Sequence, residues 1–152
     1  MPAEQEYVLG TNDAEFRRLG LQHRIWSEQA FDLWERAGFA PGQTLLDVGC
    51  GPGYATIDLA RLLGPTAKLI AVDASARFIE LLRSRIAQEN LDNIQTHVLD
   101  LAEIDLPAHS IDAAYARWVL CFLPKPAEVV RRIAEALKPG GVLAVQDYFS
   151  YH

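Results

Sequence analysis

The chain is poor in cysteine, with two in 152 residues. Cys50 sits in a glycine-rich loop and Cys121 in an apolar run, and neither spacing suits a zinc site or a disulfide framework. Two thiols of this kind fit a reducing cytosol. Long hydrophobic runs are missing too. No stretch approaches the ~20 apolar residues of a membrane span, and the opening MPAEQEYVLG lacks the basic and apolar regions of a signal peptide. Together these absences predict a cytoplasmic protein without a membrane partner. Positive charge is also scarce: 14 Lys and Arg face 20 Asp and Glu, a formal net charge of -6. Phosphate neutralisation needs clustered basic residues, whereas FRRLGLQHR and VVRRIAEALK are short, interleaved with apolar positions and read as solvated helix faces. Nucleic acid is therefore not an expected partner. Repeats, low-complexity tracts and internal linkers are absent from the sequence as well.

What is present suits one globular domain. Half of the residues are hydrophobic, and a chain of this length hides roughly 70% of its unfolded surface on folding. Asn12 and Glu15 are spaced as a capping box, and Phe16, Leu19, Ile25, Trp26, Phe31 and Trp34 follow at helical intervals until Gly38. A short buried strand is predicted over Thr44 to Val48, then a helix from Tyr54 to Leu63 stopped by Gly64 and Pro65. KLIAVDAS is a strand, and Ser75 caps a helix whose inner face is Phe78, Ile79, Leu82 and Ile86. NIQTHVLD and IDAAYARWVL are further strands. Pro126 opens a helix with Val129, Val130, Ile133, Ala134 and Leu137 inward; KPGG stops it, and VLAVQDYF is the fifth strand. Strands of this length alternating with helices call for a parallel sheet covered on both faces, with ligands beyond the carboxyl ends of the strands where the strand order reverses.

That rule puts LLDVGCGPGYA, residues 45–55, at the site. Glycines there permit tight turning and close approach to the backbone, while the following helix offers unpaired N–H groups and a positive dipole end. A small polar or partly anionic cofactor fits such a corner. The spacing Gly49, Gly51, Gly53 is G-x-G-x-G, and Tyr54 places a ring where the dinucleotide fingerprint has glycine, which argues against pyrophosphate. Asp73, at the tip of the second strand, is placed to accept from both ribose hydroxyls of either kind of nucleotide. A lesser role, capping the next helix, stands beside it.

LLDVGCGPG, AVDAS, VLDLAEIDLPAHSIDAAYARWVLCFL and ALKPGGVLAVQDY, in this order and at these separations, resemble the successive motifs of class I S-adenosylmethionine-dependent methyltransferases. The resemblance covers residues 44–148. It implies a Rossmann-like doubly wound sheet of five mainly parallel strands in the order 3-2-1-4-5, with helices on both faces and an N-terminal helical segment. Residues 1–40 would form a lid or cap and residues 41–152 the cofactor domain, ending after strand five where the family usually adds two more strands. By the same resemblance Gly49, Cys50 and Gly51 pass near the amino acid part of S-adenosylmethionine, Gly53 belongs to the same cofactor-binding loop, Asp73 holds the ribose and Ala74 flanks the adenine. Asp100 accepts from the adenine amine beside Leu101, Arg117 offers a main-chain carbonyl to the ammonium, and Asp47 reaches that ammonium through water.

The implied activity is methyl transfer to a small-molecule acceptor. A cofactor-binding module without turnover and an NAD(P)-dependent oxidoreductase are the alternatives. Trp118 and Phe122 are either core or wall of the acceptor pocket, and His23 and Trp26 either a lid or ordinary helix packing. Tyr7 is equally undecided. Cys50 reads as a tolerated small residue rather than a nucleophile, and no histidine is singled out as catalytic. The outer edge of strand five, apolar and blunted only by Asp147, suggests a homodimer.

Overall fold

The computed structural model describes residues 12–148. Tyr7 and the last four residues lie outside that range. The helix α1 (Asp13–Arg36) starts where Asn12 Oδ1 accepts from the Glu15 N–H at 2.9 Å, and ends at Ala37, followed by Gly38 at φ 75°. Only half of the expected capping box forms, because the Glu15 carboxylate turns to Arg18, with Arg18 Nε at 2.7 Å. The buried stripe of α1 also differs from the apolar one. Gly20, His23, Ala30 and Trp34 face inward, whereas Ile25 is 63% exposed and Trp26 and Phe31 also stand in solvent. Gly20 is small because a Cβ there would stand 2.8 Å from the Tyr54 hydroxyl oxygen, and His23 is polar because it is held between Asp58 and Arg117.

The remaining elements alternate as the hydrophobic pattern requires: β1 (Thr44–Val48), α2 (Tyr54–Leu63), β2 (Lys68–Asp73), α3 (Ala76–Gln88), β3 (Ile94–Val98), β4 (Ile111–Arg117), α4 (Pro126–Ala136) and β5 (Leu137–Gln146). All four strand pairings are parallel, and the sheet order is β3-β2-β1-β4-β5, as expected. The first three helices cover one face, where Ala30 and Trp34 of α1 and Leu59 of α2 meet Leu45, Leu69 and Tyr115, and Leu82 of α3 meets Ala71. On the other face Val129, Ile133 and Ala136 of α4 pack against Leu46, Val48 and Ala114. Trp34 is fully buried and stands edge-on to Tyr115 with ring centroids 5.5 Å apart. Such a pair contributes about 0.5–1.5 kcal/mol beyond its area.

The end of α4 departs from expectation. The helix stops at Ala136, Ala134 is exposed, and Leu137 already pairs with Ile111 as the first residue of β5. KPGG therefore lies within the strand as an irregularity, and pairing resumes with Val142 opposite Ala113. Gly141 permits it, since a Cβ there would stand 2.8 Å from the Lys138 carbonyl oxygen. The topological switch lies between β1 and β4, neighbours whose chains continue to opposite sides of the sheet, so a crevice opens at their carboxyl ends.

Candidate cofactor site

A cavity of about 190 Å³ opens at this switch point, lined by Asp47, Gly49, Cys50, Gly51, Asp73, Ala74, Asp100, Leu101 and Arg117 among others. Nine of the ten expected site residues are thus brought together. Gly53 lies behind the cavity wall. All three loop glycines have positive φ, at 67°, 56° and 88°, yet they answer to different neighbours. A Cβ on Gly49 would stand 2.5 Å from Val119 Cγ2, and one on Gly53 would stand 2.2 Å from Leu82 Cδ1. The space at Gly51 is open to 4 Å. Two of the glycines are therefore required by the protein's own packing, and only Gly51 leaves its room to a ligand.

Asp73 ties this loop to the next helix. Its Oδ2 accepts from the Gly51 N–H and its Oδ1 from the Ser75 N–H, both at 2.8 Å. Ser75 itself is the cap of α3, accepting from the Phe78 N–H at 3.2 Å, so the lesser role for Asp73 is already filled. Burial raises the Asp73 pKa, and the amide bonds from Ser75 and Gly51 oppose that rise. Each carboxylate oxygen keeps a further lone pair for a hydroxyl. The first turn of α2 has no side-chain cap, so its amides remain donors beside the cavity.

Asp47 is buried at the carboxyl end of β1, where its Oδ2 accepts from Thr56 Oγ1 at 2.6 Å. Burial pushes its pKa up to about 6 against the opposing pull of Thr56 and Arg117. Burial, with the charges of Asp73 and Asp47, also pushes the Cys50 thiol well above its usual range. A protonated thiol there is no nucleophile. Asp100 Oδ1 accepts from the Ala102 N–H at 2.9 Å at the head of a short 3-10 turn, Leu101–Glu103.

Arg117 brings in residues that sequence reasoning left undecided or missed. Its Nη2 lies 2.9 Å from His23 Nδ1, and His23 Nε2 lies 2.6 Å from Asp58 Oδ2. A guanidinium only donates, so Nδ1 accepts and the ring proton on Nε2 points to Asp58. The chain Asp58–His23–Arg117 joins α2, α1 and β4 beside the cavity. Tyr54 reinforces it: its hydroxyl donates to the Phe16 carbonyl at 3.2 Å, its ring stacks on His23 at 5.8 Å, and the Arg85 guanidinium lies 4.6 Å above it. No local spacing signals either cluster, because the partners are distant in sequence. Thr56 is the exception, nine residues after Asp47 and one turn into the helix that follows the loop.

The profile of the family described as "Methyltransferase domain" matches residues 45–141, most of the described sheet and its helices. The chain belongs to the methyltransferase domain family. A 2-phytyl-1,4-naphtoquinone methyltransferase of Trichormus variabilis is 33% identical over 131 residues, which is 84% of this chain and 55% of that protein. A crystal structure of a putative S-adenosyl-L-methionine-dependent methyltransferase from Methanococcus maripaludis superposes with a TM-score of 0.71 at 28% identity, over 80% of this chain and 56% of that one. The [4+2]-cyclase SpnF superposes with a TM-score of 0.73 at 27% identity, over 78% of this chain and 43% of that one. The methyltransferase domain thus spans about half the length of the relatives it matches. S-adenosylmethionine, rather than a dinucleotide, is the cofactor of the family. The uncapped helix end, the open space at Gly51 and the two-amide cradle of Asp73 fit it.

Proposed function

We propose that the protein is an S-adenosylmethionine-dependent methyltransferase acting in line on a small-molecule acceptor. The observation that carries this is the coupling of Asp73 to the Gly51 amide, which holds a ribose acceptor and an open backbone turn on one cavity wall. In this reading Asp73 binds the ribose hydroxyls, Ala74 and Leu101 flank the adenine, and Asp100 accepts from its amine. Gly49, Cys50 and Gly51 run beside the amino acid moiety, with Gly53 setting the turn from behind. The Arg117 carbonyl and, through water, Asp47 meet the ammonium. α1 serves as a lid, latched by His23 between Asp58 and Arg117.

When bound, the cofactor supplies a methyl group already activated by its sulfonium. The protein's task is then orientation and exclusion of water, since a displacement at such a carbon gains most from near-attack geometry. The name of the Trichormus variabilis relative supports a small acceptor. The second reading, a cofactor-binding module without turnover, stands beside the first, and SpnF supports no more than that the same fold carries an activity other than methyl transfer.

Calorimetry with S-adenosylhomocysteine tests the first. A dissociation constant in the micromolar range is expected, and Asp73→Ala should weaken it by about two orders of magnitude, as the loss of charged hydrogen bonds implies. Asp73 also anchors the loop, so Asp73→Asn, which keeps an acceptor for one amide, is the companion variant and should lose less. Equal binding by wild type and both variants would show the ribose assignment to be wrong. Binding without methyl transfer across an acceptor panel would select the second reading.

A further inference from the structure

Three carboxylates and one cation line the cavity: Asp47, Asp73 and Asp100 against Arg117. A guanidinium carries five N–H donors and accepts nothing. Among the described residues Arg117 makes one side-chain hydrogen bond, from Nη2 to His23 Nδ1 at 2.9 Å, and its Cζ lies 4.6 Å from the Trp118 ring centroid. Its neighbours in those contacts are rings, not carboxylates. Nη1 is buried and has no hydrogen-bond partner.

The polar groups around it are engaged elsewhere. Asp47 Oδ2 accepts from Thr56 and the two oxygens of Asp73 from the Gly51 and Ser75 amides. Tyr115, two residues before Arg117 and on the same face of β4, donates its hydroxyl to Gln146 Oε1. His23 holds the guanidinium from α1, and Asp58 of α2 holds His23 in turn, with Oδ2 2.6 Å from Nε2. One edge of the fork is thus fixed while Nη1 stays uncommitted.

The family's cofactor brings one anionic group, the carboxylate of its amino acid end. Near Asp47, Asp73 and Asp100 that group meets like charge, which is unfavourable in a buried site unless a cation stands between. Carboxylate and ammonium share one carbon atom, so a cofactor whose ammonium meets the Arg117 carbonyl brings its carboxylate to the neighbourhood of the same residue. The guanidinium fork matches the two oxygens of a carboxylate. Turning Nη1 toward the cavity breaks no hydrogen bond at that nitrogen, and an arriving oxygen supplies the acceptor it lacks.

Resting on the reading of the cavity as the S-adenosylmethionine site, we infer that the Arg117 side chain binds the carboxylate of the cofactor's amino acid moiety and selects ligands that carry it. His23 is a positioning residue, holding the guanidinium from α1.

The test is calorimetry with three ligands: S-adenosylhomocysteine, its carboxamide, which keeps the ammonium and loses the negative charge, and methylthioadenosine, which lacks the amino acid altogether. Wild type should bind the acid about thirtyfold more tightly than the carboxamide. Arg117→Met should remove that preference and leave the affinity for methylthioadenosine unchanged. Arg117→Lys, with a charge but no fork, should keep a reduced preference, and so should His23→Leu. Equal binding of acid and carboxamide by wild type would overturn the inference without relying on any variant. So would a preference that survives in Arg117→Met, or a loss there that is the same for all three ligands, as a purely structural Arg117 requires. A full preference in His23→Leu would strike the positioning role. A wild-type chain that binds none of the three sinks the reading of the cavity itself, whereas binding of all three without preference sinks the carboxylate contact alone.

Discussion

Asp47 is a carboxylate in an apolar strand, and its surroundings make the neutral form the comfortable one. Burial raises its pKa from 3.8 to about 6, so the folded protein holds this proton more tightly than the unfolded chain does. The stability linked to that proton is fully present below about pH 4 and is lost as the pH rises through about 6. A gap of about two pH units corresponds to ~3 kcal/mol. Asp47→Asn keeps an acceptor for Thr56 and removes the charge. Its melting temperature should therefore exceed that of wild type by several degrees near pH 7.5 and match it near pH 4, while its affinity for S-adenosylhomocysteine falls. A difference that is the same at both pH values would show that Asp47 is not its source. The sequence alone exposed the anomaly of this acid, because one charge in a run of Leu and Val stands out. It did not expose Thr56 as partner or the Asp58–His23–Arg117 chain, whose members are 35 and 94 residues apart. Contacts of that separation are set by how helices land on the sheet, and no spacing rule encodes them.

The strand, loop and helix from β1 to α2 were the most legible element, since three alternate glycines before a helical pattern demand positive φ whatever the ligand. Their individual reasons were not legible, and they separate by mutation. Gly49→Ala and Gly53→Ala force a Cβ against Val119 and Leu82 in addition to the backbone strain, so both should destabilise the fold by more than the ~1–2 kcal/mol that left-handed φ alone costs. Gly51→Ala meets open space and should lose about that backbone cost only, while Gly51→Val should block S-adenosylhomocysteine in a protein that remains folded. Denaturant midpoints and calorimetry on the four variants decide it. Equal stability losses at all three positions would mean that packing does not distinguish them, and retained affinity in Gly51→Val would exclude close backbone contact with the cofactor. The irregular start of β5 was hidden for a related reason. KPGG carries every stop signal for a helix and none for the strand pairing that the neighbouring Ile111 offers to Leu137.

For the molecule as a whole, alternation of short apolar runs with helical patterns was enough to give a parallel sheet covered on both faces, whereas the strand order came from the resemblance to the methyltransferase motifs, because several routes across a parallel sheet share that alternation. What lies beyond β5 is a different matter. Among the described residues β5 has β4 as its one strand neighbour, so its outer N–H and C=O groups form an edge, and Val142 and Val145 are 37% and 41% exposed along it. An apolar edge of this kind pairs readily with a strand of another chain. We propose that a second copy of this chain takes the place, in an antiparallel pairing about a twofold axis that continues one sheet into the next. The variant that tests it is Val145→Lys, because Ala144 is buried against the core and a lysine there would unfold the protein rather than blunt its edge. Light scattering should show wild type moving from monomer to dimer as concentration rises toward ~100 micromolar, with Val145→Lys remaining monomeric over the same range. A wild-type chain that stays monomeric throughout would show that the edge is satisfied without a second copy. Association that Val145→Lys leaves unchanged would move the contact elsewhere, and the exposed Leu21 and Ile25 of α1 would be the next positions to substitute.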